Sequence, residues 1–371
     1  VRILHVVGAR PNFMKIAPVL EACRSHDDIE SLLVHSGQHY DEQMSKLFFD
    51  ELGIPKPDLD LEVGSGSHAK QTALIMERFE PVLRDWRPDL VVVVGDVNST
   101  MACSLVAVKE GVPVAHVEAG LRSFDRTMPE EINRMVTDAI ADLLFVTESS
   151  GVDNLRREGV DESKIHLVGN VMIDTLLSHL ESAASSRVME TVGVVPGEYA
   201  VLTLHRPSNV DDAEALDRVM EPIRELSRSM PVVFPVHPRT RGRVGEGAGS
   251  GEDLRLLEPL GYLDFVRLMS EARLVLTDSG GIQEETTILG VPCVTIRENT
   301  ERPVTLSHGT NRLAGTSSDG IRAAIRESLG QPPSRPGAPP LWDGNAAVRI
   351  VRILRQWTPG QVAAPRPTSS R

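Results

Sequence analysis

Strand-length apolar runs alternate with helix-length amphipathic segments along almost the whole chain, and this alternation restricts it to one fold class. The clearest run is Leu90 to Val94, LVVVV, which needs apolar cover on both faces. Around it stand RILHVV, SLLVHSG, VPVAHVEAG and DLLFVTE, separated by the helical patterns NFMKIAPVLEACRS, DEQMSKLFFDEL, HAKQTALIMERFEPVLRDW, STMACSLVAVKEG and PEEINRMVTDAIA. Pro129 opens the last of these, where a missing N–H costs nothing. The expectation is α/β: a parallel sheet with helices on both sides.

The pattern loosens over residues 186–198, which read as the end of an interdomain linker, and then restarts. YAVLTLH, PVVFPVHP, LRLLEPL, RLVLTDSGG and VPCVTIRE read as strands, with helices between them, another helix near 318–329 and a final one over 344–357. A chain of 371 residues exceeds what one core usually supports. Two Rossmann-like doubly wound domains are therefore expected: 1–171 with about 350–371, and 172–349. Ligands of such sheets bind at the carboxyl ends of the strands.

Charge and composition remove several function classes. The net charge of −13 disfavours nucleic acid, although a small anion could still bind in a local basic pocket. No apolar run approaches the roughly 20 residues of a membrane helix. RILHVVGARPN carries no leader pattern, so a cytoplasmic protein is expected. Cys23, Cys103 and Cys293 lie far apart in apolar surroundings and read as reduced, buried thiols. No HExxH, cysteine cluster, Walker A loop, GxGxxG or GxSxG is present, so no metal, ATPase, dinucleotide or serine-hydrolase chemistry is expected, and no cofactor.

Chemistry-bearing residues gather at strand ends. Asp96 follows LVVVV at the entry to a helix, where it could cap the helix or act on a ligand. Arg10 and Lys15, in GARPNFMK, bring positive charge to a helix start already suited to an anion. In TDSGGIQEE, Ser279, Gly280 and Gly281 leave a strand and open a helix. Such a turn lets backbone N–H groups approach a phosphate, and a carboxylate such as Glu284 or Glu285 could take ribose hydroxyls. Glu118 interrupts a buried strand, so it must be paired, protonated or catalytic. His205 ends a strand next to Arg206, His237 and Arg239 repeat that theme, and Arg302 stands in TERP. The basic first-half loop and the second-half anion site suggest a ligand held between the domains.

Together GARPNFMK, SGQHYDEQM, GDVNST, HVEAGLR, MPEEINR, LHRPSN, VHPRTR, TDSGGIQEE and TERP resemble the non-hydrolysing UDP-N-acetylglucosamine 2-epimerases over roughly residues 2 to 357. The resemblance implies the glycosyltransferase-B architecture, a homodimer, a UDP-sugar substrate and a place in cell-surface polysaccharide biosynthesis. It implies acid–base roles for Asp96, Glu118 and Glu130, with His205, Arg10 and Lys15 near the diphosphate. Ser279, Gly280 and Gly281 would hold phosphate, Glu285 the ribose, Phe265 the uracil, and Arg302 the phosphates. Gln38, His39 and Gln71 fall where several relatives bind an activating second substrate molecule. Ser208 stands where many bacterial relatives have Glu, RSFDRTM differs from their loop, and Lys70 replaces a common Arg. The implied reaction is loss of UDP to give a glycal, followed by re-addition with inversion at C2. A hydrolysing 2-epimerase, a 2-epimerase of a modified UDP-acetamido sugar and a glycosyltransferase of the same architecture are the alternatives.

Overall fold

A computed structural model describes residues 1–37, 51–236, 244, 253–330 and 337–357. The chain divides into two compact units, Val1–Asp174 joined by the chain from Gly344 onward, and Thr175–Asp343.

Among the described residues the first unit is built on seven parallel strands: β1 (Arg2–Val7), β2 (Glu30–His35), β3 (Leu59–Asp60), β4 (Leu90–Val94), β5 (Val114–Ala119), β6 (Leu143–Val146) and β7 (Ile165–Leu167). They lie in the order β3-β2-β1-β4-β5-β6-β7. Every residue of β4 is buried, as a central parallel strand requires. Its Val91 and Val93 pack with Leu4, Val6, Ile75, Phe79 and Leu83. The last three lie at spacings of four along the helix His68–Trp86 and form its inner stripe. That helix starts on Ser67, whose hydroxyl accepts the Lys70 N–H, and ends at Arg87, which is left-handed just before Pro88.

The second unit holds β8 (Ala200–Thr203), β9 (Val232–Pro235), β10 (Leu254–Leu257), β11 (Leu274–Thr277), β12 (Cys293–Thr295) and β13 (Asn311–Leu313), all parallel, in the order β10-β9-β8-β11-β12-β13. Alternate residues cover opposite faces. Leu202, Phe234 and Leu276 meet Val219, Ile223 and Ile325, while Val201, Val233 and Val275 meet Leu268 and Met269. The stretch read as linker contributes to that second face. It contains a short helix, Val188–Val192, whose Val188 and Met189 are part of the core. Five residues are too few to show a helical period.

In both sheets the order of connection reverses beside the first strand, between β1 and β4 and between β8 and β11. Loops leave those paired strands toward opposite sides, which opens a crevice at their carboxyl ends. The final helix, Ala346–Gln356, packs on the helix Arg10–Arg24 and so completes the first unit. The Asp174 carboxylate caps it, accepting the N–H of Ala346 at 3.1 Å and of Ala347 at 2.7 Å. All three cysteines are buried, and none of the described helices is long and apolar enough to cross a membrane.

Candidate functional sites at the two switch points

In the first unit Asn12 ties together the ends of the two strands at the switch point. Its side-chain oxygen accepts the N–H groups of Gly8 and Ala9, just past β1, and its amide donates to the Val94 carbonyl at the end of β4, 3.0 Å away. Gly95 follows with a left-handed φ of +68°, and a Cβ there would come within 2.9 Å of the Lys15 Nζ and 3.1 Å of the Asn12 amide. Glycine is thus required both by conformation and by the close approach of Lys15. Asp96 comes next. Its carboxylate pairs with the buried Arg134, and its carbonyl accepts from Asn133 at 2.9 Å.

Glu118 reaches the same end from the neighbouring strand. The β5–β6 register slips between Val117 and Ala119, and Glu118 occupies the resulting bulge with φ +75°. A left-handed non-glycine costs about 1–2 kcal/mol, and such bulges re-aim a side chain. Here the carboxylate is re-aimed onto Lys15, with both side chains under 10% exposed. Lys15 therefore sits on Glu118 in this structure, a partner that the sequence pattern did not reveal. The side chain of Arg10, and all of Gln38, His39, His237 and Arg239, lie outside the described residues.

The Glu130-Glu131 pair divides its roles. Glu130 is exposed in the first turn of the helix Pro129–Ile140. Glu131 is buried, pairs with Arg134 at 2.7 Å, and accepts the N–H groups of Ser123 and Phe124. Burial works to raise the Glu131 pKa, but the Ser123 N–H and the Arg134 guanidinium outweigh it and hold the group below the usual carboxylate range. Gln71 is likewise a brace: it is buried, donates to the Gly64 carbonyl at 3.0 Å and accepts from Asn98 at 2.7 Å.

Behind the crevice a chain of polar side chains runs from the buried His116, Asp138 and Arg122 to the exposed Glu158. His116 Nε2 lies 2.7 Å from the Gly95 carbonyl and its Nδ1 2.6 Å from Asp138. Asp138 also accepts from Arg122 at 2.7 Å and from the Gly120 N–H at 3.0 Å, and Arg122 continues to Glu158. Burial would raise the Asp138 pKa, but His116 and then Arg122 pull it below its ordinary value.

The second unit repeats the plan with different chemistry. Asp278, fully buried just past β11, accepts the backbone N–H groups of His205 and Arg206 just past β8, and the Asn209 amide. It also takes His205 Nδ1, which leaves Nε2 as the second nitrogen of an exposed ring. Burial opposes the Asp278 charge, yet the bonds from His205, Arg206 and Asn209 keep its pKa low.

Ser279 caps the helix Gly280–Leu289 without a side-chain cap bond, so its hydroxyl is not spent on the helix. Gly280 has a second reason to be glycine. A Cβ there would collide with the guanidinium of Arg302, which is buried between Glu284 and Glu301. Gly281 follows in the first turn. Glu285 is buried in the same helix, 3.1 Å from the Tyr262 hydroxyl. Burial lifts its pKa to about 8, the Tyr262 bond offsets part of this, and the charge of Glu284 adds to it. Phe265 is partly buried against the apolar core. No group of three or more metal-ligating side chains occurs among the described residues.

The profile of the family described as UDP-N-acetylglucosamine 2-epimerase matches residues 21–355. A UDP-N-acetylglucosamine 2-epimerase of Methanocaldococcus jannaschii is 43% identical over 94% of this chain and 97% of its own. A UDP-2,3-diacetamido-2,3-dideoxy-D-glucuronate 2-epimerase of Pseudomonas aeruginosa is 42% identical over 89% and 93%. The crystal structure of the M. jannaschii UDP-GlcNAc 2-epimerase in complex with UDP-GlcNAc and UDP is similar with a TM-score of 0.89 at 41% identity, covering 96% of this chain and 100% of that one. That of the Neisseria meningitidis enzyme bound to UDP-GlcNAc scores 0.87 at 31% identity, covering 96% and 100%.

Proposed function

The chain belongs to the UDP-N-acetylglucosamine 2-epimerase family, and from that premise we propose that it inverts C2 of UDP-N-acetylglucosamine without hydrolysis. The observation that carries the reading is the pair of carboxylates, Asp96 and Glu118, delivered by adjacent strands to one switch point, one of them at the cost of a left-handed backbone.

The C2 proton of the intact sugar is not acidic. When the bond from C1 to the UDP oxygen breaks, positive charge develops beside C2 and the proton becomes removable. A carboxylate takes it, the C1–C2 double bond forms, and the products are UDP and a 2-acetamido glycal. In the return step the UDP oxygen adds to C1 and a proton reaches C2 from the other face. Two faces need two acid–base groups, and Asp96, Glu118 and Glu130 are assigned to them. The second unit is assigned the nucleotide. Backbone N–H groups at Ser279-Gly280-Gly281 and the Ser279 hydroxyl would take phosphate oxygens, and His205 Nε2 would stabilise the departing diphosphate, with Arg10, Lys15 and Arg302 adding positive charge. Glu285 would take the ribose hydroxyls and Phe265 the uracil.

Incubation with UDP-N-acetylglucosamine in deuterium oxide, followed by NMR, tests the reading. The expected product is the manno epimer with deuterium at C2 and intact UDP. Deuterium-free epimer would remove the proton-transfer scheme, and stoichiometric free UDP with N-acetylmannosamine would establish a hydrolysing enzyme. A second substrate has a specific basis. The diacetamido-glucuronate relative is 42% identical and the N-acetylglucosamine relative 43%, so overall identity does not separate them. Side-by-side kcat/KM values on both UDP-sugars decide between the two.

A further inference from the structure

We propose that His116 and Asp138 form a positioning pair that sets where Asp96 and Glu118 stand relative to each other. The proposal rests on the epimerase reading above for what those carboxylates do, and on this chain's own geometry for how they are held.

The Gly95 carbonyl can only accept, so His116 Nε2 carries a proton and donates across 2.7 Å. The Asp138 carboxylate also only accepts, so Nδ1 donates across 2.6 Å. The ring thus spans the gap from the helix Pro129–Ile140 to the end of β4. Asp138 is held in turn by the buried Arg122, whose guanidinium reaches the carboxylate of Glu158 at the surface.

What the pair touches is what makes it positional. Gly95 immediately precedes Asp96, and its N–H bonds to the Val117 carbonyl at 3.0 Å while its carbonyl takes His116. Both backbone polar groups of Gly95 are therefore tied to β5. The other oxygen of Asp138 holds the Gly120 N–H at 3.0 Å, two residues past Glu118. One carboxylate thus clamps the turn that carries Asp96, through His116, and the bulge that carries Glu118, directly.

The test exploits the reach of two amides. In His116→Gln the amide nitrogen can take the place of Nε2 and still donate to Gly95. In His116→Asn it takes the place of Nδ1, keeping the Asp138 bond and losing Gly95. The expected result for His116→Asn is a kcat lower by about 10- to 100-fold, the cost of misplacing reacting groups by about an ångström. KM and the UDP dissociation constant should stay within about twofold of wild type, and His116→Gln should recover most of the loss. Crystal structures of both variants read the position without turnover: the Gly95-Asp96 turn should shift in the Asn variant and stay in the Gln variant. Equal kcat in the two variants, or an unmoved turn in the Asn variant, would overturn the proposal. A wild-type enzyme inactive on UDP-N-acetylglucosamine would instead overturn the functional reading, and the two crystal structures would still decide the positional one.

Discussion

Asp278 Oδ1 lies 2.7 Å from His205 Nδ1, so a carboxylate with no exposure anchors a ring that is 63% exposed. A fixed ring offers one nitrogen in one direction, which is the preorganisation that electrostatic stabilisation of a leaving group requires.

Asp278→Asn should therefore impair both fold and turnover. The amide presents a donor where the N–H groups of His205 and Arg206 need an acceptor. Loss of a hydrogen bond to a charged group costs about 1.5–3 kcal/mol, and denaturant titration should show at least that. The pH dependence has a definite sign. Asp278 has a folded pKa below its unfolded value of 3.8, so its contribution is present above that value and is lost as pH falls through the lower folded pKa. The Asn variant should lack that acid-side decline.

Asp96→Asn and Glu118→Gln should each lower kcat by ~10²–10⁴-fold, the range for a lost general acid or base. UDP affinity, measured by calorimetry, should remain close to wild type in Asp96→Asn, since Asp96 is not assigned to the nucleotide, and should not fall in Glu118→Gln, which releases the Lys15 assigned to the diphosphate. Near-normal turnover in both variants would reduce them to partners of Arg134 and Lys15.

Gly280→Ala should be poorly tolerated, because the new Cβ enters the space of the Arg302 guanidinium. Overpacking of this kind costs about 1–3 kcal/mol. A double-mutant cycle with Arg302→Ala should give a coupling of at least ~0.5 kcal/mol, with the alanine at 280 less harmful once the guanidinium is gone. Additive effects would mean that Gly280 is kept only for its backbone approach to a ligand.

Glu285→Gln should remove a slope from the stability profile. The folded carboxyl titrates at about 8 against an ordinary 4.5, so folding takes up a proton between those values. Stability from this group is greatest below about pH 4.5 and falls as pH rises toward 8, by an amount on the order of a few kcal/mol. Thermal melts across that range should show the decline in wild type and not in the Gln variant. If Glu285 accepts the ribose hydroxyls as an anion, UDP binding at neutral pH should also release a proton, read as a buffer-dependent calorimetric heat.

Much of the fold was legible because parallel strands buried on both faces write themselves as continuous apolar runs. Leu90 to Val94 announced β4 in this way, and the helix His68–Trp86 matched its pattern at both ends. The two-residue β3 and the five-residue helix Val188–Val192 were not legible, being too short for a periodic pattern to repeat. At the site, sequence located the strand ends but not the pairings across them. Lys15 and Glu118, and His205 and Asp278, meet only after one or more crossovers, while His116 and Asp138 meet where the helix after β5 packs back on its strand, and no local spacing encodes these pairings. Asp278 stood inside TDSGG yet carried no sign that it would be the buried acceptor. Nor did the sequence distinguish Glu130, which is exposed, from Glu131, which is buried, since both lie in the same helical turn.

The cap that Asp174 places on the helix Ala346–Gln356 spans 172 residues of chain. On a ribosome the seven strands of the first sheet emerge early, yet the helix that covers the Arg10–Arg24 segment emerges only after the entire second unit has been made. The first unit is consequently finished last. A nascent chain arrested near residue 180 would expose the apolar face that Ile350, Val351 and Leu354 later bury, and would be a substrate for holding chaperones or proteases. Expression of the first unit in isolation should succeed only when the late helix is supplied, either fused to the end of the fragment or added as a second chain.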